Sequence, residues 1–236
     1  MNPVLTLEQV RAWYGRAQIL FDVSLRIGSG EVVALLGRNG AGKSTTFKAI
    51  MGMLDRIEGQ RRFHGKDLAH KAAHEIARLG LGYVPEERRI FTELTVLENL
   101  EVGRQPARDG APSWTAAQLF ELFPNLGEMP HRLGGRMSGG EQQMLTVART
   151  LMGNPHLVLL DEPSEGIAPK IVEDMARMIV ALKQKGLSVL LCEQNLHFAR
   201  LVCDRAYVME KGRIRYEGSI DALLRDRQVQ QDYLSL

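Results

Sequence analysis

Gly37-Arg38-Asn39-Gly40-Ala41-Gly42-Lys43-Ser44-Thr45 comes directly after a wholly apolar run, Val32-Val33-Ala34-Leu35-Leu36. The motif fits G-x-x-x-x-G-K-[ST], and it lies where that pattern has to lie, between a buried strand and a helix. Glycines at 37, 40 and 42 let successive backbone N–H groups curl around phosphate oxygens without obstruction by side chains. The next helix points its positive N-terminal end at the same anion. Lys43 is then placed to reach the β- and γ-phosphates of a nucleotide, and the Ser44 hydroxyl to ligate Mg²⁺. Gly37, Asn39, Gly40, Ala41, Gly42, Lys43, Ser44 and Thr45 form the expected nucleotide-binding set.

A phosphate loop needs a metal-orienting carboxylate from a neighbouring strand. The apolar run at residues 157–160 ends in Asp161-Glu162 and supplies one. Asp161 is expected in the Mg²⁺ shell. Glu162, just past the strand end, is expected to orient or deprotonate an attacking water. A further buried run covers residues 188–192, and between the two Ile171, Met175, Met178, Ile179 and Leu182 mark one helical stripe. Pro169 suits that helix's first turn and Gly186 its C-terminal stop. Upstream of the phosphate loop, Phe21, Val23, Leu25 and Ile27 alternate with polar residues, the period of a strand with one wet face. Strands alternating with helices imply an α/β fold with a parallel, doubly wound sheet, here of the P-loop NTPase kind.

The middle of the chain reads differently. From about residue 85 to 152 the pattern is mostly helical, with loops at 105–112 and 124–136. It predicts one domain of 236 residues, with a core at 1–85 and 153–236 and an inserted helical subdomain at 86–152. Within it, Ser138-Gly139-Gly140-Glu141 fits the S-x-x-E capping box, with Ser138 as N-cap. The plain reading is a helix start. Two glycines there also expose N–H donors, and a capping serine can still donate its hydroxyl proton, so residues 138–140 are a candidate second phosphate site.

Met137-Ser138-Gly139-Gly140-Glu141, lying between the phosphate loop and Asp161-Glu162, resembles the signature of ABC ATPases. The resemblance extends over essentially the whole chain. It implies a RecA-like P-loop core with a parallel sheet, an N-terminal antiparallel β segment and the helical insertion. It also implies a head-to-tail pair of ATPase subunits, in which Ser138, Gly139 and Gly140 close on the nucleotide in the other subunit's phosphate loop. By the same likeness Tyr14 stacks on adenine, and Glu86, in Tyr83-Val84-Pro85-Glu86, replaces a glutamine that senses the metal and adjoins the membrane subunit. Residues 164–169, Ser-Glu-Gly-Ile-Ala-Pro, face the partner subunit and depart from the usual Ser-Ala-Leu-Asp form. Gln194 stands where most of the family has a histidine on the γ-phosphate. Neutral glutamine can donate a hydrogen bond there but carries no charge, which implies a functional but slow site whose rate Gln194→His should change.

The segments 84–91, 138–144, 162–169 and 193–195 together are similar to the smaller ATPase of branched-chain amino acid importers; urea and short-amide importers share much of the pattern. The closing Tyr233-Leu234-Ser235-Leu236 resembles the same group. The likeness implies an ATP-hydrolysing, Mg²⁺-dependent subunit held peripherally on the cytoplasmic face of the inner membrane. Its partners would be transmembrane permease chains, a second ATPase (a paralogue or a second copy) and, indirectly, a substrate-binding protein. A non-transport ABC ATPase is the alternative from another class. No heptad run of the repair type separates phosphate loop and signature, and one cassette is present where translation versions usually hold two. The iron–sulfur assembly type is hardest to set aside, although it does not share Glu193-Gln194-Asn195. Gln194 also raises a catalytically silent subunit, against which Lys43, Asp161 and Glu162 stand intact.

Composition agrees with this and excludes other classes. Hydrophobic residues make up 44% and charged residues 25%, and 30 basic against 28 acidic side chains leave a net charge of +2. That balance speaks against a dedicated nucleic-acid binder. Cys192 and Cys203, in apolar surroundings, read as reduced core thiols. No apolar run approaches the roughly 20 residues of a spanning helix, and Met1-Asn2-Pro3-Val4 does not open a signal peptide. His70 and His74 lie four apart in a stretch read as helical (69–79), but with no further ligand they read as a solvated face. His197 would face away from Gln194, and the pairs Arg61-Arg62 and Arg88-Arg89 read as surface charge, the second pair lying in the segment expected to touch a membrane subunit.

Overall fold

The computed structural model describes residues 3–234, so Ser235 and Leu236 of the closing tetrapeptide lie outside the described residues. Its strands are β1 (Leu5–Tyr14), β2 (Ala17–Ile27), β3 (Val32–Leu36), β4 (Arg56–Phe63), β5 (Lys66–Asp67), β6 (Leu81–Val84), β7 (Leu157–Asp161), β8 (Ser188–Glu193), β9 (Arg205–Glu210) and β10 (Arg213–Ser219). They form a four-stranded antiparallel sheet, β2-β1-β4-β5, and a six-stranded sheet, β10-β9-β3-β8-β7-β6. In the second sheet β9, β3, β8, β7 and β6 are parallel, and β10 joins its edge antiparallel to β9.

The apolar runs are continuous because both faces of that sheet are covered. Val32, Ala34 and Leu36 of β3 enter one core, with Val158, Leu160, Val189 and Leu191 from its neighbours. Val33, Leu35, Leu159, Leu190 and Cys192 enter the other, which the antiparallel sheet closes through Leu7, Val10 and Val23. The α-helices of four or more residues are α1 (Lys43–Ile50), α2 (Ala73–Arg78), α3 (Val96–Gly103), α4 (Ala116–Leu122), α5 (Pro124–Gly127), α6 (Gly139–Leu151), α7 (Pro169–Gln184), α8 (Leu196–Val202) and α9 (Ile220–Arg225). α3 to α6 all lie in the chain between β6 and β7. Pro169 opens α7, and Gly186, with a φ of 85°, comes after its C-cap Lys185. Cys192 and Cys203 are buried free thiols whose pKa burial pushes up.

Four local expectations are corrected. Strict alternation puts Phe21 on the buried face of β2, but Asp22 takes a left-handed φ of 55° at a bulge. The register shift gives the buried place to Leu20, and Phe21 is half-buried under the Arg213 guanidinium, 4.9 Å from the ring centre. His70 and His74 do not share a helix face, because α2 starts only at Ala73 and His70 turns with a φ of 59°. Residues 85–95 form no helix; they are irregular backbone. The buried Asn99 side chain takes the place of helical bonds there, accepting from Phe91 N at 3.0 Å and donating to the carbonyls of Phe91, Leu94 and Thr95. Arg61 is not surface charge. It is buried, and it donates to the Ala49 carbonyl at 2.6 Å and the Leu68 carbonyl at 3.2 Å, capping the C-terminal end of α1.

Candidate active site

β3, β8 and β7 lie side by side and end level, for Leu36 pairs with Glu193 and Asp161 with Cys192. The carboxyl ends of three parallel strands therefore deliver Gly37, Gln194 and Glu162 to one edge, where open α/β sheets bind ligands. Gly42 is the N-cap of α1 with a φ of 109°, and no side chain caps the helix, so its first N–H groups face the loop. Gly37 passes so close to β9 that a Cβ would stand 2.5 Å from the Met209 carbonyl oxygen. Inside the loop the buried Lys43 Nζ donates to the carbonyls of Gly37 at 2.8 Å and Arg38 at 3.2 Å, and lies 2.9 Å from Glu162 Oε1.

Ser44 Oγ donates to Asp161 Oδ1 at 3.0 Å, and the Tyr83 hydroxyl to Oδ2 at 3.3 Å. Burial raises the Asp161 pKa to about 6 against both hydrogen bonds, and the charges of Glu162 and Glu86 add to the rise. A hydroxyl and a buried carboxylate meeting at the mouth of a phosphate loop are the hard oxygen donors that Mg²⁺ takes. A cation there would also relieve the desolvated charge. Glu86 itself is exposed and reaches Asp161 through its charge.

Glu162 is buried and holds a left-handed φ of 45°, a strain of about 1–3 kcal/mol that surrounding contacts must hold in place. Burial raises its pKa, but hydrogen bonds from Glu165, Lys43 and Gln194 together with the Lys43 charge outweigh it, and the carboxylate is ionised at neutral pH. Glu165 is the weaker acid of the two: its hydrogen bond with the Glu162 carboxylate, and then burial, push its pKa up to about 7. Gln194 Nε2 donates to Glu162 Oε2 at 2.8 Å and to Asn39 Oδ1 at 2.7 Å. The phosphate loop and the strand-end carboxylate are thus tied through one amide.

Tyr14 ends β1 with 45% of its surface exposed, and Lys48 of α1 lies 6.0 Å from its ring centre, so an aromatic face is open beside the phosphate-loop helix. Ser138 caps α6 as its motif predicts. Its Oγ accepts from Glu141 N at 3.4 Å, and Glu141 Oε2 accepts from Ser138 N at 2.7 Å. Gly140 packs against Ile171. Among the described residues no hydrogen bond joins residues 138–140 to the phosphate loop.

Two site residues escaped the sequence reading. Glu193 is buried, and its carboxylate accepts from the backbone N–H groups of Ser164, Gln194 and Asn195, fixing the loops after β7 and β8 together. An acidic residue closing an apolar run was the only signal, and it does not say which way the side chain turns. Arg88, read as surface charge, has a φ of 59° and lays its guanidinium over Gly139. His197 is exposed on α8, whose cap is Asn195.

Residues 20–165 match the family model described as ABC transporter. The chain is 42% identical to the high-affinity branched-chain amino acid transport ATP-binding protein BraG of Pseudomonas aeruginosa, over 98% of this chain and 99% of that one. It is 38% identical to the lipopolysaccharide export system ATP-binding protein LptB of Haemophilus influenzae, over 98% and 97% respectively. The crystal structure of an ABC transporter ATP-binding cassette in its ADP conformation superposes with a TM-score of 0.82 at 30% identity, covering 98% of each chain.

Proposed function

The chain belongs to the ABC transporter ATP-binding family, and from that premise we propose that it powers an importer of branched-chain or other hydrophobic amino acids. The observation that carries the chemistry is the meeting of Lys43, Ser44, Asp161 and Glu162 at the ends of β3 and β7. The substrate class rests on the likeness to BraG along the whole chain.

In this reading the N–H groups of residues 37–45 and Lys43 bind the β- and γ-phosphates, and Tyr14 stacks on the adenine. Ser44 and Asp161 would hold Mg²⁺, which would supply charge neutralisation on the phosphates, and the Glu86 carboxylate would be a further acceptor beside it. Glu162 takes the proton of the attacking water. Ser138, Gly139 and Gly140 complete the site of the facing ATPase subunit. ATP is then bound more tightly by the closed pair than by the open one, and that difference in affinity is what shifts the permease between states. No helix among the described residues is long and apolar enough to cross a membrane. A groove of about 560 Å³, with exposed Met53, Phe91 and Val102 on its walls, is the surface we assign to a permease segment.

LptB at 38% identity supports a second reading, lipopolysaccharide export. Gentle affinity purification of the tagged chain from its native membranes, with mass spectrometry of its companions, separates the two. Two permease chains, a second ATPase and an amino-acid-binding protein are the expected companions. Lipopolysaccharide export permeases would move the assignment to export, and soluble assembly or repair proteins without any permease would end the transport reading.

A further inference from the structure

A glutamine side chain has two N–H donors and one carbonyl oxygen. Both donors of Gln194 are engaged, one by Asn39 Oδ1 at 2.7 Å and one by Glu162 Oε2 at 2.8 Å. The orientation of the amide is fixed by geometry, since Glu162 pairs through Oε1 with Lys43 Nζ at 2.9 Å and leaves Oε2 to accept from Nε2. Asn39 presents its own oxygen to the second N–H. Oε1 of Gln194 is what remains, and an acceptor repels a phosphate oxygen but takes a hydrogen bond from water.

We propose that Gln194 acts on the attacking water rather than on the γ-phosphate, and that Asn39 is the residue that positions it. Oε1 accepts from one water hydrogen while Glu162 takes the other as a proton, the arrangement by which a glutamine orients the nucleophile in other phosphoryl transfers. The water oxygen bonds to the γ-phosphorus. The bond from that phosphorus to the β,γ-bridging oxygen breaks, and its electron pair leaves on ADP. Gln194 keeps its protons throughout. A histidine here could not fill the role, because a neutral imidazole has one donor and a charged one has no acceptor. The proposal rests on Glu162 being the base.

The test is a double-mutant cycle on ATP hydrolysis by the full-length chain in complex with its native partners. Asn39 is exposed and Gln194 half-buried, so both truncations leave the core intact. Gln194→Ala should lower kcat by about tenfold or more with KM for ATP within about twofold. Asn39→Ala should lower kcat by about tenfold in the wild type and by less than about twofold when Gln194→Ala is already present. Equal losses in both backgrounds, or a rise in KM with kcat unchanged, would place Asn39 on the nucleotide and overturn the proposal. Glu162→Gln serves as the reference. Full turnover in that variant removes the base and the proposal with it, whereas loss there alongside additive Asn39 losses overturns this proposal and leaves Glu162 as the base.

Discussion

Arg61 and Arg62 are neighbours in sequence with opposite environments. Arg62 is exposed, whereas Arg61 is 6% exposed and satisfies the Ala49 carbonyl at the end of the phosphate-loop helix α1 together with the Leu68 carbonyl. Burial lowers its pKa and the Asp67 charge opposes that, yet a guanidinium stays charged, and here it faces the negative end of a helix. Arg61→Ala should destabilise the protein by about 2–4 kcal/mol in denaturant unfolding, because it orphans buried carbonyl groups. Arg61→Lys should recover only part of that, as one ammonium cannot span both acceptors. A loss below about 0.5 kcal/mol for Arg61→Ala, the surface range, would contradict the capping role. The residues of the phosphate loop were legible in the sequence because a backbone wrapped around an anion restricts its own composition. The roles of Arg61 and Glu193 were not, nor was the bond from Gln194 to Asn39, because they depend on partners brought from distant parts of the chain.

At the level of elements, the alternation in β2 failed where a bulge exchanged Leu20 for Phe21. A bulge is a property of the pairing with β1, so β2 alone could not announce it. Residues 85–95 misled in the opposite way, since side-chain bonds from Asn99 hold backbone that has no period of its own. A second junction joins the turn after β4 to the start of β7, where the rings of His64 and His156 lie 4.5 Å apart. Burial holds both pKa values below the ordinary histidine range. Lys66 adds to this at His64; His64 and Arg108 add to it at His156, against a hydrogen bond to the Gly110 backbone. The unfolded chain therefore takes up protons first, and stability contributed by the neutral pair is lost as pH falls from about 6.5 toward the folded values. Melting temperature should drop between about pH 7.5 and 5.5, and His156→Gln should flatten that slope. An unchanged slope in the variant would remove the pair as its source.

For the whole molecule, the order of phosphate loop, signature and strand-end carboxylate could be read directly, and with it the parallel sheet. The strand order β10-β9-β3-β8-β7-β6 could not, because no local signal says that β8 will insert between β3 and β7. That insertion is what brings Gln194 to Glu162 and Asn39. The chain presents a phosphate loop at one place and the capped N-terminus of α6 at another, and the proposed function makes these two halves of sites that a facing subunit would complete. The structure of the Glu162→Gln complex with Mg-ATP, determined by electron microscopy, tests this most directly. Ser138, Gly139 and Gly140 of this chain are expected against the γ-phosphate of the nucleotide in the neighbouring phosphate loop, and the metal on Ser44 and Asp161 where this chain holds the nucleotide. A nucleotide contacted by a single chain, with residues 138–140 in solvent, would contradict it.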